Sequence, residues 1–246
     1  MNNKTINAAY ASRLGAIALA AAVMTGCAST SNNPNDPLEG FNRTMFSFND
    51  TVDKVALKPA AQAYDAVVPN PVQRGVGNFF GNIGDLWSSV NQLLQGRIEQ
   101  GVSTFMRVAI NTTFGLGGVL DVATEARLPR EKSDFGQTLG KWGVGSGPYV
   151  VLPFFGPSTV RDTAGLPVDL YGDLWTYKRP TRWRNVGTVV RIVDRRAQLL
   201  DASTLLEDAA LDKYDFVRDA YLQRRQSQIN GAGGSGKDRP ENAIQP

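Results

Sequence analysis

Residues Trp142–Val160 read WGVGSGPYVVLPFFGPSTV, and how this stretch is satisfied decides the fold. No charged side chain falls between Lys141 and Arg161, a length close to the roughly 20 apolar residues of a bilayer-spanning helix. A spanning helix is excluded. Pro148, Pro153 and Pro157 each remove a backbone donor, and Gly143, Gly145, Gly147 and Gly156 weaken what remains. Apolar backbone that is not helical still needs partners for its N–H and C=O groups. The stretch is therefore expected to be packed inside a helical protein. Two readings stay open: a buried loop in a soluble core, and irregular backbone at membrane depth enclosed by protein.

Working outward, the N-terminus sets the compartment. Lys4 and Arg13 supply a positive region, and Leu14–Met24 supplies an apolar run too short to span a bilayer. Met24-Thr25-Gly26-Cys27 follows, and it resembles a bacterial lipobox, with Met24 where leucine is usual. Cys27 is the only cysteine of the chain, so no intrachain disulfide forms, and it is the expected acylation site. Ala28 resembles an outer-membrane sorting residue. The expected organisation is a signal peptide over 1–26, a lipidated tether over 27–36, one helical domain over 37–229 and a polar tail over 230–246. Net charge is +3, and removal of Lys4 and Arg13 leaves 24 cations against 23 acids. Such a balance argues against a nucleic-acid binder. The chain has no histidine, which excludes Ser-His-Asp and Cys-His catalysis and histidine-based metal sites.

Between these landmarks the apolar spacing predicts helices. Leu38–Val55 carries Phe41, Met45 and Phe48 on one face, either toward a core or in a membrane interface. Asp36 is expected to cap it, and Pro59 to end or redirect the chain. A short helix over Pro59–Val68, a long one over Val72–Leu94 with Gly77, Gly81 and Gly84, and a third over Ile98–Thr113 follow. Phe114-Gly115-Leu116-Gly117-Gly118 is a mobile turn, and Arg127–Ser133 a charged surface loop. Pro180 opens a helix whose face is Trp183, Val186, Val190, Val193, Ala197 and Leu200, flanked by Arg182, Arg184, Arg191, Arg195 and Arg196. Those arginines are either a solvated face or contacts to lipid phosphates. Thr204–Glu207 reads as a capping box for the last helix.

Taken in order, several short motifs carry a family likeness. They are Asp36–Arg43 (DPLEGFNR), Asn111–Gly118 (NTTFGLGG) with Asp121–Ala123, Phe135–Gly140 (FGQTLG), Gly143–Tyr149 (GVGSGPY), Leu152–Gly156 (LPFFG), Arg161-Asp162 and Arg196–Asp201 (RAQLLD). Behind a lipobox, this ordered set resembles the MlaA family, also called VacJ, over roughly Asp36 to Arg225. The resemblance implies an all-helical, ring-like lipoprotein with an amphipathic central channel, held in the inner leaflet of the outer membrane. It implies removal of stray phospholipid from the outer leaflet, with no catalytic residue, no metal and no cofactor. The implied partners are phospholipid, a trimeric outer-membrane porin, the periplasmic lipid carrier MlaC and, indirectly, the inner-membrane complex MlaFEDB.

The site residues expected on this reading fall in several groups. Cys27 carries the lipid, and Phe114, Gly115, Leu116, Gly117 and Gly118 form a gating hairpin. Gly147, Pro148, Tyr149, Pro153, Phe154 and Gly156 form a membrane or channel segment. Arg191, Arg195 and Arg196 face the headgroup. Two other classes compete. A porin-associated scaffold needs no lipid path. An envelope hydrolase would draw on Asp162, Asp169 or Asp173, which lack any nucleophile motif.

Overall fold

The computed structural model describes residue 33 and residues 36–231. The signal segment, Cys27, most of the tether and the tail beyond Gly231 lie outside the described residues. Helices dominate, as expected: α1 (Glu39–Val52), α2 (Lys58–Val67), α3 (Asn70–Leu94), α4 (Ile98–Thr113), α5 (Val122–Glu125), α6 (Phe135–Lys141), α7 (Val160–Gly172), α8 (Thr181–Ala197), α9 (Leu200–Ala209) and α10 (Lys213–Asn230).

The Gly/Pro-rich stretch is where the sequence reading needs correction. It is not irregular throughout: Tyr149–Leu152 (β1) and Gly156–Thr159 (β2) pair antiparallel, with Tyr149 opposite Thr159 and Leu152 opposite Gly156. Proline survives there because Pro157 sits in a two-stranded sheet with free edges. The free edge of β1 is covered by side chains instead of a third strand. Asn42 donates to the Tyr149 carbonyl (3.0 Å) and accepts from the Val151 N–H (2.8 Å). Two helical turns on, Asn49 donates to the Leu152 carbonyl (2.9 Å) and accepts from the Phe154 N–H (2.8 Å). A spacing of seven puts both asparagines on one face of α1. The apolar core beneath is small: Tyr149, Val151 and Tyr214, with Met45, Phe46, Tyr221 and Leu222 against them.

Other boundaries differ for identifiable reasons. Asp36 does not cap α1. Its carboxylate is buried and accepts from Asn42 (2.7 Å), Tyr214 and, at 3.5 Å, Arg218. Pro59 does not stop the first helix. A π-helical turn, Asp53–Leu57, leads into α2, and Pro59 falls in its first turn, where no N–H is required. Thr204–Glu207 lies inside α9, and the last helix is capped by Asp212, which accepts from the Tyr214 and Asp215 N–H groups (2.9 and 3.2 Å). On α8, Ala197 is buried as expected, but Trp183 and Val186 are exposed, and buried Asp194 shares the inner side.

Gly77 and Gly81 of α3 make room for side chains from other elements. A Cβ on Gly81 would lie 2.6 Å from the Arg130 guanidinium, and one on Gly77 2.8 Å from Gln198. They are notches that let polar side chains lie on the helix backbone.

Buried Asn42 joins α1, β1 and Asp36, so its loss leaves donors and acceptors unpaired. Asn42→Ala is expected to lower unfolding stability by about 3 kcal/mol. Thr44→Ala on the exposed side should cost under about 0.5 kcal/mol. Urea unfolding followed by circular dichroism in detergent measures both.

Candidate functional site

A cavity of about 850 Å³ is bounded by α3, the loop 130–134, the hairpin, α7, α8 and α10. Most of the residues that line it are polar or charged, with Phe80, Trp87, Leu152, Phe155, Leu166 and Leu170 supplying apolar surface between them. Aspartates 85, 134, 162, 169, 173 and 194 face arginines 74, 130, 191, 195 and 225 and Lys132. Each aspartate is already held. Asp162 accepts from Arg161 (2.9 Å), Tyr221 (2.7 Å) and Arg225 (2.9 Å), and Arg225 also grips Asp134 (2.6 and 2.9 Å). Burial pushes the Asp162 carboxyl up, but Arg225, Tyr221 and Arg161 outweigh it and hold it below the ordinary range.

Asp169 accepts from the Trp87 indole and the Phe135 N–H, both at 2.8 Å, and burial dominates, raising its pKa. Asp173 caps the 3-10 turn Leu174–Tyr177 at Trp175 (3.0 Å) and pairs with Arg191 (2.5 Å). Asp194 accepts from Tyr64 (2.9 Å) and Gln198 (2.8 Å). Asp85 pairs with Arg130 (2.9 Å). The three carboxylates available to a hydrolase are thus engaged in holding helices together. Among the described residues no group of three or more metal-ligating side chains forms.

The expected site residues divide. Arg191 and Arg195 line the cavity. Arg196 does not: it turns away and pairs bidentately with Asp53 of the π-helical turn (2.7 and 2.8 Å). Of the expected channel segment, none of Gly147, Pro148, Tyr149, Pro153, Phe154 or Gly156 lines the cavity. Their neighbours Leu152, Phe155, Pro157 and Ser158 do. The reason is strand alternation: Tyr149 and Val151 face the apolar core, so Leu152 takes the other side. The loop 127–133 is no mere surface loop either, since Arg130, Lys132 and Ser133 all line the cavity. Sequence reasoning missed Asp85, Arg130 and Lys132. The available signal was Asp85 itself, the sole charge between Gly75 and Leu94.

Phe114–Gly118 stands outside the cavity with Phe114 71% and Leu116 74% exposed. Leu116, Gly117 and Gly118 all have positive φ (53°, 71° and 93°), which the two glycines adopt at little cost. The turn is tied down at its base. Gly118 N–H donates to the Asn111 carbonyl (2.9 Å), and Asn78, a cavity residue, donates to the Val119 carbonyl (3.2 Å). Beneath it, fully buried Arg107 holds Asp121 through two 2.9 Å bonds, with further contacts to Thr124 and the Leu128 carbonyl.

The outer surface has the opposite character. Leu93, Leu94, Ile98, Val102, Phe105, Met106, Trp142 and Val144 are exposed. The first-helix face is split: Met45 packs inward, while Phe48 is exposed and meets exposed Phe154 edge-on at 5.4 Å. Among the described residues no helix is long and apolar enough to cross a membrane.

Comparison with known proteins gives consistent likenesses. The profile of the MlaA lipoprotein family matches residues 34–228. The "intermembrane phospholipid transport system lipoprotein MlaA" of Shigella flexneri is 42% identical over 230 residues, 89% of each chain. The protein of the same description from Escherichia coli K12 is 41% identical over 228 residues, again 89% of each. Its Haemophilus influenzae counterpart is 37% identical over 224 residues, 86% of this chain and 88% of its own. A solved chain, from work on the structural basis for maintenance of bacterial outer membrane lipid asymmetry, superposes with TM-score 0.69 at 43% identity. It covers 79% of this chain and 99% of its own.

Burial works to raise the Asp121 carboxyl, and bonds from Thr124, Asn111 and Arg107 overcome it, bringing the pKa from 3.8 to about 2. A carboxyl lowered by folding stabilises fully above its unfolded value and loses that contribution as pH falls through the folded one. Between about pH 4 and 2, Asp121→Asn is therefore expected to show a flatter loss of stability than the parent chain. Hydrogen exchange across 114–120 should be faster in that variant at neutral pH.

Proposed function

The chain belongs to the MlaA lipoprotein family, and on that premise we propose that it carries stray phospholipid out of the outer leaflet of the outer membrane. The observation that supports this most is the reversal of polarity. Charged and amide side chains line and surround an internal cavity, while large apolar side chains point outward. A phospholipid headgroup cannot cross hydrocarbon cheaply, because an unpaired buried charge costs several kcal/mol even after relaxation. A cavity whose wall carries charges of both signs gives the headgroup a polar path. The acyl chains stay with apolar surface, such as Phe155 and Leu152 at the cavity edge.

On this reading Cys27 bears the acyl anchor, and the outward apolar residues rest in the inner leaflet of the outer membrane. A trimeric porin flanks the protein, and the central path has the ring-like form of the family. The lipid passes to the periplasmic carrier MlaC and from there to MlaFEDB. The Phe114–Gly118 turn gates the path. Its base shares Asn78 with the cavity wall, so a movement of the turn reaches the path through one hydrogen bond. A passive path has no direction of its own, and net flow is set by the machinery coupled to it.

Cells lacking this protein are expected to accumulate phospholipid in the outer leaflet. The parent chain should restore asymmetry and Cys27→Ala should not. Unchanged leaflet phospholipid with altered porin abundance would replace this reading with a scaffold. A second variant, Phe114→Asp with Leu116→Asp, should impair complementation while helical circular dichroism stays intact. A cooperative loss of helicity would remove the gating role.

A further inference from the structure

The cations of the cavity wall are not all matched. Arg130 and Arg191 are paired, to Asp85 (2.9 Å) and Asp173 (2.5 Å). Lys132, Arg195 and Arg74 line the same cavity and form no ion pair among the described residues, although the Asp85 carboxylate still acts on Lys132 from farther off. Arg195 lies one helical turn beyond Arg191 on α8, so both point to one side. Lys132 follows Arg130 by two residues in the loop between α5 and α6, and both line the cavity. Four cations thus converge with two carboxylates between them. Arg130 adds a buried donor, its Nη2, with no hydrogen-bond partner among the described residues.

We infer that Lys132 and Arg195, with the free Arg130 edge, form a binding site for the phosphate of a phosphate ester. The inference rests on the lipid-path reading, which it deepens by locating where the headgroup is held. Phosphate fits because its oxygens accept several charge-assisted bonds at once, from a guanidinium fork and an ammonium. Like charges held together without a counterion are costly, and an anion relieves them. The ammonium of Lys132 already registers this: burial and the nearby Arg195 and Arg130 lower its pKa. Asp85 opposes this shift, but it is paired with Arg130, and burial with the surrounding cations outweighs it.

The test uses the full lipidated protein in neutral detergent and fluorescent lipids. The probes are phosphatidylglycerol, phosphatidic acid and diacylglycerol, the last lacking phosphate. The Lys132→Gln/Arg195→Gln chain is expected to bind both phospholipids about tenfold or more weakly, with diacylglycerol binding unchanged. Lys132→Arg/Arg195→Lys, which keeps the charge, should bind near the parent level. So should Arg196→Gln, whose partner lies away from the cavity. Circular dichroism and melting establish that each variant is folded.

Equal phospholipid binding by the Gln variant and the parent overturns the site while leaving the lipid-path reading intact. A folded parent chain that binds no phospholipid overturns the lipid-path reading, and the site falls with it. Glycerol phosphate identifies the source of the ligand. If it displaces bound lipid only at far higher concentration than lipid itself, the occupant is a lipid headgroup. If it displaces at comparable concentration, the anion site stands with a soluble occupant.

Discussion

A guanidinium without a carboxylate cannot be buried at tolerable cost, and the interior of this chain is arranged around that rule. Arg107 has no exposed surface, and it is among the largest fully buried side chains of the protein. Asp121 meets it with both oxygens, and Asp85 lies 3.8 Å from its Nε. Asp85 in turn holds Arg130, whose guanidinium lies on the α3 backbone where only glycine leaves room. One chain of alternating charge therefore runs from the base of the Phe114–Gly118 turn, across α4 and α3, to the cavity wall. Asn42 and Arg225 serve the same purpose on the other side, tying the hairpin and α10 to their neighbours. Such pairs add little net stability over well-packed apolar groups, yet breaking one is costly. Their value lies in holding a polar space open inside a small protein.

That arrangement explains how much of the molecule was legible in the sequence. Helix limits set by apolar spacing were readable, and Ile98–Thr113 is an example. So were the exposed Phe114 and Leu116 of the glycine turn, since a cluster of glycines leaves no helix to bury them. Elements fixed by long-range polar contacts were not readable. Nothing local distinguishes an Asp36 that caps its helix from one that bonds Tyr214 and Arg218 at the far end of the chain. The strands were hidden for a related reason. Pro153 and Pro157 argue against sheet, and what stabilises this sheet is a pair of asparagines more than a hundred residues away. Arg196 was expected to face the headgroup alongside Arg191 and Arg195, and it does not share their side of α8. One step along a helix turns a side chain by about 100°, enough to send it to Asp53 instead.

The matched pairs also shape what the cavity can do. Six aspartates against five arginines and a lysine give a wall of no net formal charge. A path of this kind has to welcome a charged headgroup and then release it. Binding must be favourable enough for entry and weak enough for exit. The ion pairs of the wall, Asp85 with Arg130, Asp173 with Arg191, and Arg225 with Asp134 and Asp162, meet the second condition, because their fields largely cancel. Lys132 and Arg195, which form no ion pair, meet the first, by giving the phosphate one foothold on a wall of no net formal charge. Spreading the same two cations among unpaired arginines would deepen the well and hold the lipid. Pairing them with further carboxylates would leave nothing to draw it from the membrane. Passage is fastest between those extremes. A few unpaired cations among ion pairs suit a carrier of anionic esters.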